Sequence, residues 1–297
     1  MKYEGTVYRP PSEAYSLIVQ ATVGCSQNEC TFCAMYKEQK FRIRSVKEIK
    51  EDLLYGKNHY GNQVQRIFLA DGDALVMKYD DLMEILLYIE KLFPRLDRVS
   101  FYASPASVMT KTPEQLKNLV THGAKLAYLG IESGSDKVLK DIKKHATSQQ
   151  IVKACNMLTD AGFDLSVTVI MGLGGINDSK EHINATAEVL NKINPTYLGL
   201  MTLLVKTGTE IYEQVQNKEF EELTPIEILF ETKALIEKLE LKNTIVRSNH
   251  VSNYAHIKGV LNKDKKSILN QIDAALKRHD FAYSKRIRDM YAVETGL

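Results

Sequence analysis

Short apolar runs alternate with amphipathic stretches along most of this 297-residue chain. Residues 15–22 (YSLIVQAT), 66–70 (RIFLA), 98–103 (RVSFYA), 126–131 (LAYLGI), 165–171 (LSVTVIM) and 196–204 have the length and bounding turns of strands. Helices are predicted between them. Ser45 is an N-cap with Glu48 as its capping-box partner, opening a helix to about Tyr55. Asp80 opens a second, to about Leu92, and Thr112-Pro113 a third that stops near Gly123. Residues 148–161, with Gly162 just beyond, and 178–190 give two more. Strand–helix alternation with short linkers means βαβ units and a parallel sheet. Six strands fall short of a closed eight-stranded barrel. The expected fold is α/β: a partial (β/α)6 TIM-like barrel of parallel strands over residues 1–212, with an N-terminal lead-in. Residues 213–297 are expected to form a mainly helical extension that caps it. Its helices span 225–240 and 268–277, with residues 249–262 irregular.

Composition changes this picture little. Apolar residues make up 44% and charged residues 26%, an ordinary globular mix. A net charge of +2 is too near neutral to call for a nucleic-acid partner. No stretch approaches the length of a membrane span. No basic segment precedes an apolar run as in a signal peptide. The expected compartment is the cytoplasm, where thiols stay reduced.

Against that background the cysteines stand out. The chain has four, and three of them, Cys25, Cys30 and Cys33, fall in GCSQNECTFCAMY with C-x4-C-x2-C spacing. A disulfide is disfavoured by compartment. Structural zinc wants a fourth ligand from elsewhere. A redox pair of Cys30 and Cys33 leaves Cys25 unexplained. A [4Fe–4S] cluster on three thiolates leaves one iron open to another ligand, and soft thiolates suit it. The residues alone leave these readings open. Cys155, in mid-helix among apolar residues, reads as a buried inert thiol.

The cysteine loop follows the first strand, and active sites of parallel barrels lie at the carboxyl ends of strands. Other strand ends carry Asp71-Gly72-Asp73, Ser104, Glu132-Ser133-Gly134-Ser135 and Gly172-Leu173-Gly174-Gly175. Glycines there permit close approach of backbone to a ligand, although the same residues also make ordinary turns.

Together these segments resemble the radical S-adenosylmethionine (SAM) superfamily, in its coproporphyrinogen-dehydrogenase/Elongator-like branch. Cys25, Cys30 and Cys33 match the family's three cluster ligands, with a first gap one residue longer than usual, and Phe32 matches the aromatic before the last cysteine. Residues 70–74 (ADGDA) resemble the segment after strand two that receives the methionyl amino group, with an acidic residue in place of a glycine. Residues 130–136 (GIESGSD) resemble the segment after strand four, and 170–174 (IMGLG) the strand-five motif whose backbone meets adenine. The likeness runs from Tyr15 to about Tyr212. It implies one [4Fe–4S] cluster on Cys25, Cys30 and Cys33. It implies SAM near Phe32, Asp71, Gly72, Asp73, Ser104, Glu132, Ser133, Met171 and Gly172. It also implies an oxygen-sensitive oxidoreductase that cleaves SAM to a 5′-deoxyadenosyl radical for hydrogen abstraction.

The absence of further clustered cysteines disfavours a second cluster, and no cobalamin, acetyltransferase or RNA-binding domain is expected within this length. A small or medium metabolite is the expected substrate, with reduced flavodoxin or ferredoxin as electron donor. An RNA-modifying enzyme and a non-enzymatic Fe–S or haem carrier are the alternatives. His250 and Asn253 are candidates for substrate contact. Arg9 is read as a surface salt bridge, with an anionic substrate as the other reading. The basic residues 277–279 and 285–288 read as a solvated face, the only feature that would favour RNA or an acidic electron donor.

Overall fold

The computed structural model describes residues 1–278 and, beyond them, Lys285 and Met290. The chain divides into two compact units. The first comprises Met1–Asn28, Tyr36–Leu129 and Lys153–Leu165, and the second Glu29–Met35, Gly130–Val152 and Ser166–Leu297.

The first unit opens with β1 (Leu17–Gln20), β2 (Thr22–Val23) and β3 (Arg42–Ile43). There follow α1 (Val46–Tyr60), β4 (Arg66–Ala70), α2 (Tyr79–Leu92), β5 (Arg98–Tyr102), α3 (Pro105–Met109), α4 (Pro113–Thr121) and β6 (Ala124–Glu132). Its strand order is β1-β4-β5-β6, all parallel, with Leu17 opposite Ile67 and Ile67 opposite Val99. The short β2 and β3 pair antiparallel. Ile67, Phe68, Leu69 and Ala70 are all fully buried, as a parallel strand covered on both faces requires. The rings of Phe68, Tyr102 and Tyr128 pack edge to face at 5.1–5.9 Å.

The capping chemistry is as read. Ser45 Oγ accepts from the Glu48 N–H while Glu48 Oε2 accepts from the Ser45 N–H, and Thr112 with Gln115 repeats the device behind Pro113. Helix α1 runs past its expected end near Tyr55 to Tyr60, and Gly56 lies inside it where a Cβ would strike Leu17.

The chain continues through α5 (Asp136–Asp141), α6 (Ser148–Ala161), β7 (Asp164–Met171) and α7 (Gly175–Ile193). Then come β8 (Tyr197–Thr202), α8 (Glu210–Gln216), α9 (Pro225–Lys238), β9 (Thr244–Ser248), β10 (Ile257–Leu261) and α10 (Lys265–Leu276). In the second unit β7 pairs parallel with β8 and β8 with β9, and β10 closes the series antiparallel to β9.

The α/β class, the parallel core strands and the helical C-terminal extension are those expected for a partial barrel. The extension also holds two strands that the sequence reading left out. Thr244–Ser248 alternates buried and outward residues over five positions. In Ile257–Leu261, within the stretch read as irregular, Lys258 and Gly259 interrupt the apolar run and mask the strand. No helix among the described residues is long and apolar enough to cross a membrane.

Candidate functional site

All four cysteines are thiols rather than disulfides; Cys25, Cys30 and Cys33 are half-buried and Cys155 is fully buried. Burial pushes the Cys155 thiol up to about 12, which makes it inert, as read. The other three lie on a loop of turns. In the first unit Gly72 is packed on Cys25 so closely that a Cβ there would stand 2.7 Å from Cys25 Cβ and 3.1 Å from its sulfur. Only glycine lets the strand-end backbone approach so near. In the second unit the Cys33 N–H donates to the Cys30 carbonyl at 3.2 Å. Thr31 between them is clasped from both sides: its N–H donates to the Ile142 carbonyl and its carbonyl accepts from the Ile211 N–H, both at 3.1 Å. Lys206, almost wholly buried, is held below its ordinary pKa by burial, against which the charge of Cys33 works. Among the described residues no set of three or more His, Cys, Asp or Glu side chains is gathered into a metal site. Three accessible thiols on one loop nonetheless suit, by donor chemistry, a soft metal cluster.

The turn after β4 carries two buried carboxylates. Asp71 Oδ2 accepts from Gln20 Nε2 at 2.7 Å and from the Gly24 N–H at 3.2 Å. Burial pushes its carboxyl up to about 6. Asp73 Oδ2 accepts from Ser26 Oγ at 2.6 Å and Ser104 Oγ at 2.7 Å, and burial raises its pKa too. In both residues the second oxygen, Oδ1, is buried with no hydrogen-bond partner. Ser104 also caps α3, accepting from the Ser107 N–H, so its hydroxyl is already occupied.

The turns after β6 and β7 are built differently. Glu132 adopts a left-handed backbone (φ 60°), and its carboxylate meets Lys144 Nζ at 3.0 Å and Thr168 Oγ1 at 3.5 Å. Ser133 is fully buried against His182. His182 Nε2 lies 3.1 Å from the Ile170 carbonyl, so Nε2 carries the proton and Nδ1 accepts from the Ser133 hydroxyl at 2.8 Å. Burial pushes His182 down to about 4 and keeps it neutral. Met171 is buried. The Gly172 N–H donates to Glu231 Oε2 at 2.6 Å, and Ser179 Oγ donates to Oε1 at 2.7 Å. Burial pushes Glu231 up to about 7.

The remaining candidates are less engaged with this chemistry. Phe32 is half-buried. Asn253 has both ends of its amide bound to β8: Oδ1 accepts from Thr202 Oγ1 at 3.0 Å and Nδ2 donates to the Leu200 carbonyl at 2.8 Å. His250 Nδ1 lies 2.8 Å from Ser252 Oγ, and burial lowers its pKa. Both side chains brace the loop before β10. Arg9 is exposed and enters no ion pair among the described residues, contrary to its reading as a salt bridge. Of the basic residues at the C-terminus, His279 and 286–288 lie outside the described residues.

Sequence reading missed Gln20, Lys144, His182, Lys206 and Glu231. Two left a signal. His182 precedes buried Ile183 and lies one turn before buried Thr186 on α7, and Glu231 lies one turn after buried Ile228 on α9. Each is a titratable group on a helix's inward face.

Comparison with known proteins gives a consistent result. The profile of the radical SAM superfamily matches residues 19–188, more than half of the chain. The 4'-phospho-dehydrooxetanocin synthase of Priestia megaterium is 25% identical over 226 residues, 69% of this chain and 30% of that protein. The chain spans less than half the length of the curated relatives it matches. Among solved structures, coproporphyrinogen III oxidase of Escherichia coli, described as a radical SAM enzyme, superposes with a TM-score of 0.56 at 15% identity over 75% of this chain and 52% of its own. Methylornithine synthase superposes with a TM-score of 0.52 at 16% identity, over 92% and 85%. These likenesses concern the fold, and they do not single out one branch.

Proposed function

This chain belongs to the radical SAM superfamily, and we propose that it is a single-cluster enzyme acting on a small or medium-sized metabolite. Membership implies a [4Fe–4S] cluster and SAM in general. We assign Cys25, Cys30 and Cys33 as the cluster's ligands. When bound, cluster and SAM supply reductive cleavage of the sulfonium and a 5′-deoxyadenosyl radical able to take hydrogen from an unreactive C–H. A reduced flavodoxin or ferredoxin is the electron donor that such chemistry calls for.

The observation that carries the reading is the pair of unmet carboxylate oxygens, Asp71 Oδ1 and Asp73 Oδ1, on the turn whose Gly72 touches Cys25. A buried acceptor without a donor is costly, and native structures keep few of them. SAM carries an ammonium and two ribose hydroxyls, donors of the kind these oxygens lack. Ser26 and Ser104 aim Asp73, and Ser26 adjoins Cys25, so one contact orients the carboxylate and steadies the cysteine loop. Asp71 fixes the Gly24 amide on the other side of Cys25. Lys206 interacts electrostatically with Cys33, and a cation in that role favours negative charge on sulfur. We also assign Glu132, Met171 and the Gly172 turn, in the second unit, to SAM through their likeness to the family's motifs.

A metabolite is favoured over RNA because a net charge of +2 supplies little of the cationic surface that backbone binding needs. The test is anaerobic reconstitution followed by iron and sulfide analysis. The protein should take up about four of each per chain. Cys25→Ala, Cys30→Ala and Cys33→Ala should each abolish stable uptake, while Cys155→Ala should leave it intact. One bound zinc in place of iron would sink the proposal.

A further inference from the structure

The peptide unit joining Met171 to Gly172 is clamped at both ends. Its carbonyl accepts from the Leu203 N–H at 2.9 Å, and its N–H donates to Glu231 at 2.6 Å. Gly172 then turns through φ +82°, and its carbonyl accepts from the Gly175 N–H at 3.0 Å. The next two amides, Leu173 N–H and Gly174 N–H, make no hydrogen bond among the described residues. The turn thus has one fixed peptide plane followed by backbone donors left for something else.

Glu231 comes from α9, a rigid helix opened by the Thr224–Glu227 capping box and Pro225. Its residue is 4% exposed, and no cation pairs with it among the described residues. A buried carboxylate without a cation is a destabilising choice for a helix whose neighbouring inward positions, Ile228 and Leu235, are apolar. What the carboxylate receives in return is the Gly172 amide and the Ser179 hydroxyl.

We propose that Glu231 is a positioning residue for SAM: by holding the Gly172 amide it sets the turn whose free backbone amides meet the cofactor, and so makes SAM affinity depend on the C-terminal extension. This rests on the reading of the Gly172 turn as part of the SAM site. Ile228 supplies the control, because its Cδ1 lies 2.6 Å from where a Gly172 Cβ would be but offers the turn only packing.

The experiment is equilibrium binding of SAM to the reconstituted full-length enzyme, with KM for SAM and kcat from uncoupled deoxyadenosine formation. Glu231→Ala should weaken SAM binding by about thirtyfold, raising KM with little change in kcat. Glu231→Gln keeps an oxygen for Gly172 and an amide for Ser179, and should restore affinity to within about threefold of wild type. Ile228→Ala should lower Tm yet stay within about threefold in affinity. If Glu231→Ala does not fold, Ser179→Ala loosens the carboxylate without touching the turn and should cost about fivefold. Wild-type affinity in Glu231→Ala, or an equal loss in Ile228→Ala, would overturn the proposal alone. A wild-type enzyme that does not bind SAM at all would overturn the functional reading with it.

Discussion

The turn after β4 and the turns after β6 and β7 occupy equivalent places at strand ends, yet they treat their polar groups in opposite ways. After β4, Asp71 and Asp73 each spend one oxygen on neighbours and leave the other buried and unmet. After β6 and β7 the polar side chains are matched: Glu132 with Lys144, Ser133 with His182, Gly172 with Glu231. Matched groups hold a backbone in place. Unmet ones are costly, and native structures keep few of them. The function proposed above gives the unmet oxygens of Asp71 and Asp73 to a ligand, a division that residue type alone does not make.

The sharpest break in this comparison comes from unmatching a matched turn. Lys144→Met strands the buried charge of Glu132 and should cost about 4 kcal/mol of stability in denaturant titration. A loss below about 1 kcal/mol would show the pair to be solvent-screened rather than part of the scaffold.

Two of the buried titratable groups, His182 and Glu231, predict opposite pH responses. His182 is depressed from its ordinary 6.5 to about 4, so its contribution is full above pH 6.5 and is lost as pH falls through 4, ~3 kcal/mol in all. Glu231 is raised from 4.5 to about 7, so its contribution is full below pH 4.5 and is lost as pH rises through 7, also ~3 kcal/mol. Glu231→Gln should therefore gain on wild type as pH rises from 4.5 to 7. His182→Gln should gain on wild type as pH falls from 6.5 to 4. Parallel curves for variant and wild type, measured by thermal melts across this range, would contradict the assignments.

Sharpening the unmatched side needs a gentler change. Asp73→Asn keeps an oxygen for Ser26 and Ser104 but turns the waiting acceptor into a donor. SAM affinity should fall by about thirtyfold, ~2 kcal/mol, while Tm stays level or rises because a buried charge is gone. Ser26→Ala should cost about fivefold, ~1 kcal/mol, by removing one of the two hydroxyls that aim Asp73. Both are read by isothermal calorimetry.

Much of the frame was legible in the chain. The run RIFLA at 66–70 is a strand end to end, and Ser45 and Thr112 cap helices as their spacing demands. Such signals are local and are carried by a few adjacent residues. The strand Ile257–Leu261 was not legible, because it forms only by pairing with Thr244–Ser248. The strand-end residues could be nominated, since chemistry gathers there in parallel folds, but their division into matched and unmatched could not. Glu231 reaches Gly172 across 59 positions, and His182 reaches Ser133 across 49. No periodicity reports a partner that far away. Asn253 shows the converse: a polar residue in a plausible loop proves to be tied to the Thr202 hydroxyl and the Leu200 carbonyl.

The most direct test of the account is low-temperature EPR of the anaerobically reconstituted, dithionite-reduced protein, with and without SAM, together with chromatography for 5′-deoxyadenosine. A reduced [4Fe–4S] signal that changes shape on adding SAM, with deoxyadenosine formed, is the predicted result. A reduced cluster indifferent to SAM, with no deoxyadenosine, would contradict it.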